Sequence, residues 1–215
     1  MPDLKLHGTV VSVNVGGVRT IRTEKREVRS GIWKQPIEGR VGVRGVNIDG
    51  DAQADLENHG GSDKAIYAYA SEDTEWWEGE LGRALGPGAL GENLTTRGLD
   101  LSSARIGDRW RVGTTLLEVR QTRIPCFKLG LRLEEPRMVK RFVAAERPGA
   151  YLGIVEEGEL GAGDAIDVVE RPDHEVTVSL MSRAVLKDAS LLPSLLEAPA
   201  LPAYWREQIA RRDSA

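Results

Sequence analysis

The chain has 215 residues, with 29 lysine and arginine residues against 33 aspartate and glutamate residues and a formal net charge of −4. Its length is sufficient for one large domain, or for one domain with a small appendage, and its content of 40% hydrophobic and 29% charged residues excludes a disordered chain. An acidic pI near 5.6 argues against general binding of nucleic-acid polymers or of a membrane surface.

Glycine and proline residues separate short apolar segments in the first part of the chain, a pattern typical of many short strands. Alternating valines predict a first strand over residues 10–15, and residues 27–34 give a second. The valines on the two sides of Gly45 alternate in opposite phases, which indicates a strand with a bulge or sharp bend. Residues 65–70 are predicted to form a further strand.

The middle of the chain combines helical and strand patterns. Ser71 is predicted to cap a helix with an acidic first turn, and Pro136 is well placed to begin another. Residues 110–119 alternate around a glycine turn, which predicts a hairpin. Residues 151–155 and 165–169 are predicted strands, separated by a glycine-rich turn.

The composition changes near Pro172. From Ser182 onward glycine disappears, leucine, alanine, glutamate and arginine dominate, and the prolines permit two or three short helices. We therefore divide the chain into a barrel domain, residues 1–172, and a small helical domain, residues 173–215. The predicted fold class is mainly β: a barrel with inserted helices, followed by a small C-terminal helical domain.

Cys126 is the single cysteine of the chain, so no internal disulfide is possible and a reducing cytoplasm is expected. Short apolar runs and an N-terminus without an apolar signal region agree with a cytoplasmic location away from membranes. Arg123 and Lys128 flank the thiol and favour the thiolate, the form that binds metals or attacks electrophiles. The alternative is that Cys126 is a small buried hydrophobic residue.

Two glycine-containing polar loops are further candidate sites. One displays His59, Asp63 and Lys64 around a pair of glycines, and the other displays Asn93 and Thr95. A His59–Cys126 nucleophilic pair is one possible arrangement, and plain polar turns are the alternative for both loops. The three histidines and one cysteine do not have the spacing of a zinc site.

Residues 19–44 form a local basic strip, with eight cations against three glutamates in an otherwise acidic chain. Such a strip suits a phosphate group, although a solvated strand face is the usual explanation of a charge run.

Six ordered segments resemble the MOSC domain family, the module shared with molybdenum-cofactor sulfurases, and more narrowly its YiiM-type hydroxylaminopurine-resistance proteins. The matching segments cover residues 23–34, 50–56, 59–69, 91–99, 123–129 and 149–152. The tail resembles the small three-helix domain of that subgroup. Two positions depart from the family pattern, with Thr122 in place of proline and Ala150 in place of tryptophan.

The resemblance implies a strand-rich barrel that binds a molybdenum–pterin cofactor, with Cys126 as the metal ligand. On the basis of the matching segments, His59 and Asp63 are assigned to the reaction centre, and Asn93 and Thr95 to the cofactor. The residues chosen for the cofactor phosphate are Arg22, Lys25 and Lys34, with Lys64 and Arg123 assigned to the same cavity from other loops. The implied reaction reduces N-hydroxylated bases or related N-hydroxy compounds to amines. A separate reductase would supply electrons, since no flavin or nicotinamide motif is visible.

Other classes of function stay open at this point. A non-catalytic carrier of the molybdenum cofactor would bind it without turnover. A sulfurtransferase would carry a persulfide on Cys126 and need no molybdenum. A plain binding module without Cys126 chemistry is the remaining alternative.

Overall fold

The valine-rich segment near the start of the chain forms β1 (His7–Val15), the strand that closes a barrel. The architecture is that of a computed structural model, which describes residues 6–23, 26–54 and 60–213. Strands and helices then follow along the chain. The early strands are β2 (Arg19–Arg22), β3 (Glu27–Ser30), β4 (Gln35–Ile37), β5 (Arg40–Arg44), β6 (Asn47–Ile48), β7 (Ile66–Ala70) and β8 (Leu94–Arg97). The later strands are β9 (Arg109–Val112), β10 (Thr115–Thr122), β11 (Ala150–Glu156), β12 (Gly158–Gly161) and β13 (Ala165–Glu170).

Seven strands form a closed ring in the order β13-β9-β10-β11-β7-β8-β1, and β1 pairs again with β13 to complete it. All neighbours are antiparallel except β7 and β8, which run parallel. The closing register aligns His7 with Asp167 and Thr9 with Ala165. This closed ring and the helices described below confirm the predicted mainly β barrel with inserted helices.

The described part of the chain also forms five α-helices and two 3-10 helices. They are α1 (Ser71–Leu81), α2 (Phe127–Leu133), α3 (Met138–Ala145), α4 (Val178–Leu186) and α5 (Ala203–Asp213), with 3-10 helices at Ser62–Lys64 and Ala189–Glu197. No helix in the described part of the chain combines the length and apolar character needed to cross a membrane.

Strand β7 separates two apolar cores because its side chains alternate between two buried faces. Ile66 and Ala68 pack into the barrel interior, where Trp110 is fully buried. Tyr67 and Tyr69 face outward and pack against the side chains of α1, α2 and α3. A strand that is buried on both faces thus links the barrel to the layer in which the candidate site lies.

Several local predictions were wrong, for identifiable reasons. The phase slip at Gly45 is a tight turn between β5 and β6, with Gly45 at φ 59°, and not a bulge in one strand. The residues predicted as a glycine-rich turn include strand β12, which pairs with β5. This pairing is made by backbone hydrogen bonds, so glycines can take part in it. The residue that caps α1 is Ala70 and not Ser71, and α2 follows Cys126 where no helix was predicted.

The C-terminal helices share the apolar core of the barrel. Val178 and Met181 of α4, Leu195 of the second 3-10 helix, and Trp205 and Ile209 of α5 belong to the same buried cluster as Val10 and Trp110. The predicted helices are therefore present, whereas the predicted domain boundary after residue 172 stays a prediction. The shared core predicts that the tail and the barrel unfold together.

Two neighbouring leucines of the tail test this shared core. Leu195 is 0% exposed and Leu196 is 41% exposed. Leu195→Ala leaves a cavity, so we expect it to lower the free energy of unfolding by about 2–5 kcal/mol, and Leu196→Ala by about 0.5 kcal/mol or less. Chemical denaturation followed by circular dichroism measures both. Two separate transitions, or equal effects of the two variants, would contradict a common core.

Candidate functional site

Cys126 lies in the short connection between β10 and α2, directly before the first residue of the helix. Its backbone is extended, with φ −122° and ψ 170°, and its carbonyl oxygen accepts a hydrogen bond from the Leu129 amide at 3.0 Å. The residue is half-buried and lines two adjoining cavities. The strand end and the helix start thus fix the thiol at the place where the two cavities meet.

The first cavity has a volume of about 100 Å³ and is lined mainly by loops from the early part of the chain, by β7 and by the Cys126 segment. Two glycines allow the backbone to form its walls. A Cβ atom at Gly31 would lie 2.3 Å from the Ala52 carbonyl oxygen. Gly91 has φ +83°, and a Cβ atom there would lie 2.6 Å from Cγ1 of Ile32. Any larger side chain at either position requires these walls to move.

A buried carboxylate, Asp51, organises the floor of this cavity. Both of its oxygens lie 2.5 Å from Nζ of Lys34, and it also accepts hydrogen bonds from the Gly16 amide at 2.8 Å and from Nδ2 of Asn93 at 3.0 Å. Burial lowers the pKa of the Lys34 ammonium, and the charge of Asp51 partly opposes this effect. Lys34 is therefore primarily the partner of Asp51 in this structure.

Asn93 has hydrogen-bond partners at both ends of its side chain. Its Oδ1 accepts from the Tyr67 amide at 3.1 Å, and its Nδ2 donates to Asp51 and to the Asn14 carbonyl oxygen. Asn93 lines the first cavity, so it both forms the wall and holds Asp51 in place.

The neighbouring carboxyl group of Glu92 is fully buried and organises the Gly88–Thr95 loop. It accepts hydrogen bonds from the Gly88 amide at 2.6 Å, the Leu90 amide at 3.0 Å and the Thr95 hydroxyl at 2.9 Å. Burial raises the pKa of Glu92, although these hydrogen bonds oppose the shift. The loop is therefore ordered from within by Glu92, independently of any ligand.

Arg123 occupies a buried aromatic setting beside the cavity. Its guanidinium lies 4.7 Å from the ring centroid of Tyr67 and 5.6 Å from that of Phe142, and its Nη1 donates to the Leu90 carbonyl oxygen. Burial raises the pKa values of the Tyr67 and Tyr151 phenols, so both stay protonated at neutral pH. The positive charge of Arg123 is thus stabilised by contacts with neutral aromatic rings and a carbonyl oxygen, and not by a carboxylate.

Cations outnumber carboxylates among the described lining residues of the first cavity. The cations Lys34, Lys64, Arg123 and Lys128 line it together with one carboxylate, Asp51, which Lys34 engages. Such a cavity favours an anionic ligand.

The second cavity, of about 400 Å³, shares Lys64, Ile124, Cys126 and Tyr151 with the first. Its other walls come from the glycine turn that contains Asp63, from the end of β10, and from the beginning of α5. Asp63 accepts a hydrogen bond from Nε of Arg120 at 2.8 Å, so its charge is paired.

The structure brings together most, but not all, of the predicted site residues. Cys126, Lys34, Lys64, Asn93 and Arg123 line the first cavity, and Asp63 lines the second. Two further predicted residues lie elsewhere. Arg22 is exposed on β2 and pairs with Glu27 at 2.9 Å, and Thr95 is buried behind the wall, where it contacts Glu92 and Asn14. His59 and Lys25 lie outside the described residues.

Sequence reasoning did not assign Asp51, Tyr67, Lys128 or Tyr151 to the site, although all four line the first cavity. Each lies within one of the six segments that carry the family resemblance, and this was the signal that could have found them. Tyr204 of α5 lines the second cavity, and no local pattern marks it.

Comparisons with known proteins agree with the fold. A family model described as the MOSC domain matches residues 55–167. The Bacillus subtilis protein named "Uncharacterized protein YflK" is 33% identical over 207 residues, which cover 95% of this chain and 94% of that protein. A Gibberella moniliformis protein named "Reductase" is 33% identical over 185 residues, which cover 82% of this chain and 32% of that longer protein. The crystal structure of YiiM from Geobacillus stearothermophilus has a TM-score of 0.79 and 33% identity, covering 95% of this chain and 98% of that one.

The Asp51–Lys34 pair gives a direct test of the cavity floor. Asp51→Asn leaves a buried ammonium without its counter-charge, so we expect a loss of about 3–5 kcal/mol in the free energy of unfolding. Asp49→Asn is the matched control, because its carboxylate is half-exposed and lies 3.8 Å from Arg44.

Adding Lys34→Met to Asp51→Asn removes the unpaired charge and is expected to recover part of the loss. Urea denaturation of the four proteins measures these differences. An Asp51→Asn variant as stable as the Asp49→Asn control would show that the pair does not support the floor.

Proposed function

This chain belongs to the MOSC domain family, and on that premise we propose that it binds a molybdenum–pterin cofactor in the first cavity and reduces N-hydroxylated bases or related N-hydroxy compounds to amines. The observation that carries the proposal is the position of Cys126, the single cysteine, where a cation-rich cavity meets a second and larger one. One thiol is thereby accessible to a cofactor on one side and to a substrate on the other.

The donor set of the first cavity fits such a cofactor. Within the described residues, no group of three or more histidine, cysteine, aspartate or glutamate side chains is placed to hold a metal ion. A metal that arrives with the sulfur ligands of its own cofactor needs fewer protein ligands, and a soft cysteine thiolate suits such a sulfur-rich centre. Cys126 would be the protein ligand.

The charges of the cavity support the same ligand. Lys64, Arg123 and Lys128 line the first cavity and are proposed to hold its phosphate. Asn93 and the backbone around Gly31 and Gly91 form the wall against which a flat pterin would lie. The proposed roles of Lys25, Arg22 and Thr95 receive no support from these contacts.

When bound, the cofactor supplies the two electrons that convert an N-hydroxy group into an amine and water. The chain itself must supply protons and position the substrate. Tyr151 is shared by both cavities, and its phenol keeps its proton at neutral pH because burial raises its pKa. Tyr151 is therefore the proposed proton donor.

A separate reductase is proposed as the source of electrons. The chain shows no flavin or nicotinamide motif in its sequence. Its similarity to one third of a longer protein named "Reductase" supports a role in a reduction.

The Cys126→Ser variant tests the metal ligand. Serine has nearly the same volume but is a hard and poorly ionised ligand, so we expect molybdenum content and N-hydroxy reductase activity to fall together by at least about tenfold. Metal analysis and activity are measured on protein purified from a cofactor-producing host, with circular dichroism as the control for folding. Unchanged molybdenum content in the variant would reject the ligand assignment.

The same preparation separates the proposed function from its alternatives. Wild-type protein that retains molybdenum and pterin, yet reduces no N-hydroxy compound with a chemical electron donor, would be a carrier. Wild-type protein that holds sulfane sulfur on Cys126 without molybdenum would be a sulfurtransferase.

The cations of the first cavity give a second test. A charge-assisted contact to phosphate contributes about 1.5–3 kcal/mol, so Lys64→Ala and Lys128→Ala should each weaken cofactor retention by roughly tenfold to a hundredfold. Arg44→Ala is the control, because Arg44 belongs to the basic strip but is exposed outside the cavity. Pterin content after gel filtration is the measurement. Equal retention in all three variants would place the phosphate elsewhere.

A further inference from the structure

Helix α2 presents apolar side chains to solvent, although it begins directly after Cys126. Phe127 and Leu131 lie one helical turn apart and are 43% and 36% exposed. Ile124, which is 44% exposed, lies just before the helix and lines both cavities. These three side chains are called the α2 patch below. Large apolar side chains that are exposed together in one short segment are typical of surfaces that bind other proteins.

Cations lie beside the α2 patch. The guanidinium of Arg26 is 5.2 Å from the ring centroid of Phe127. Lys128 and Arg132 directly follow the two exposed apolar residues of the helix and are themselves one turn apart. Helix α2 therefore carries an apolar row and a basic row next to each other.

The basic strip of the early strands reaches this helix. Burial lowers the pKa of the Arg132 guanidinium, the Glu92 carboxylate opposes this shift, and the charges of Arg19 on β2 and of Arg83 add to it. Charges that act on one guanidinium in this way lie close to it. The cations of β2 and α2 thus contribute to one positive surface, in a chain whose net charge is −4.

The cations of this surface have no acidic partners, unlike many other arginines of the protein. Arg40 pairs with Asp164 at 2.8 Å, for example, and Arg171 pairs with Asp108 at 2.9 Å. Within residues 6–23, 26–54 and 60–213, four cations of the surface form no ion pair: Arg19, Arg26, Lys128 and Arg132. A positive surface that is not neutralised by the chain itself attracts a negatively charged partner.

The combination of charges and apolar side chains indicates the kind of partner. A small anion would use the cations alone, and the exposed side chains of Phe127 and Leu131 would contribute nothing to its binding. A protein surface that is acidic around an apolar centre matches both features. The position agrees with a role at the site, because Ile124 lines both cavities and Lys128 lines the first.

We propose that the α2 patch and the adjoining cations form the docking surface of an acidic electron-carrier protein, which covers Phe127 and Leu131 and places carboxylates opposite Arg19 and Arg26. This inference rests on the proposed function. Reduction of an N-hydroxy group to an amine and water takes two electrons and two protons, so the carrier, a protein with a reduced flavin or iron–sulfur group, loses two electrons in each cycle. Docking on α2 brings that group next to the Cys126 segment.

Binding of two acidic carriers, a flavodoxin and an iron–sulfur ferredoxin, tests the surface without turnover. The full-length protein is titrated calorimetrically as wild type, Arg26→Glu, Arg26→Lys and Phe127→Ala, with circular dichroism as the control for folding. Arg26→Glu and Phe127→Ala should each weaken binding by roughly fivefold to thirtyfold, while Arg26→Lys, which keeps the charge, stays within about threefold. Raising the salt concentration to about 0.5 M should weaken binding by the wild type at least about tenfold.

Arg44→Glu is the matched control, because it changes the net charge equally on the exposed β5–β6 hairpin, which lines neither cavity. It should bind either carrier like the wild type. In the activity assay, Arg26→Glu should raise KM for the carrier and leave the rate with reduced methyl viologen, a small cationic electron donor, unchanged.

Three results would overturn the inference. Wild-type protein could fail to bind both carriers at concentrations on the order of 0.1 mM, or Arg26→Glu could bind them as well as Arg44→Glu does. Binding to vesicles of an anionic phospholipid that is lost in Arg26→Glu, without binding to either carrier, would assign the surface to a membrane instead. Carrier binding with the expected losses, but no reduction of any N-hydroxy compound with reduced methyl viologen, would reject the proposed function and leave the docking surface standing.

Discussion

The ion pair between Asp51 and Lys34 is the contact on which the geometry of the first cavity depends. It joins the loop after β6 to the loop before β4, and the other hydrogen bonds of the carboxylate reach Gly16 and Asn93. A charge that is removed from water must be paired. If these segments separated, the Asp51 carboxylate or the Lys34 ammonium would be left buried without its partner or exposed to solvent. The walls of the cavity are consequently held together by the protein's own contacts.

The barrel determines where the chemistry can take place. Its interior is filled by apolar side chains such as Trp110, Leu117 and Ile66, which are fully buried. The candidate site lies instead on the outer face of β7, where Tyr67 and the Cys126 segment meet the surrounding loops. Strand β7 is packed on both faces, so the side chains that it contributes to the site start from a backbone that the barrel holds in place.

The sequence predicted the fold class, which the structure confirms, whereas the functions assigned to the site residues stay predictions. Lys34, Lys64, Asn93 and Arg123 each lie in a distinctive motif, and all four line the first cavity with Cys126. Arg22 was chosen from the same basic strip, but it lies on an exposed hairpin and pairs with Glu27, because proximity in sequence does not fix which way a side chain faces. Residue type could not reveal that Thr95 faces Glu92 and Asn14 instead of the cavity.

Other features depend on contacts between distant parts of the chain and leave no local signal. Trp205 appears as one apolar position of an amphipathic helix, and only the folded chain places its indole nitrogen against Gln121, 84 residues earlier. Strand β12 was predicted as a turn because its glycines suggest one, whereas pairing with β5 decides its conformation. Long-range pairing of this kind overrides local propensity.

The closing pairing of the barrel sets an order in which the protein matures. His7 of β1 meets Asp167 of β13, so the ring cannot close on a nascent chain until nearly all of its strands have left the ribosome. Tyr204 and Trp205 follow later still and complete the wall of the second cavity. The finished pocket is therefore a property of the completed polypeptide, and a chain interrupted during synthesis presents Cys126 without the wall that faces it.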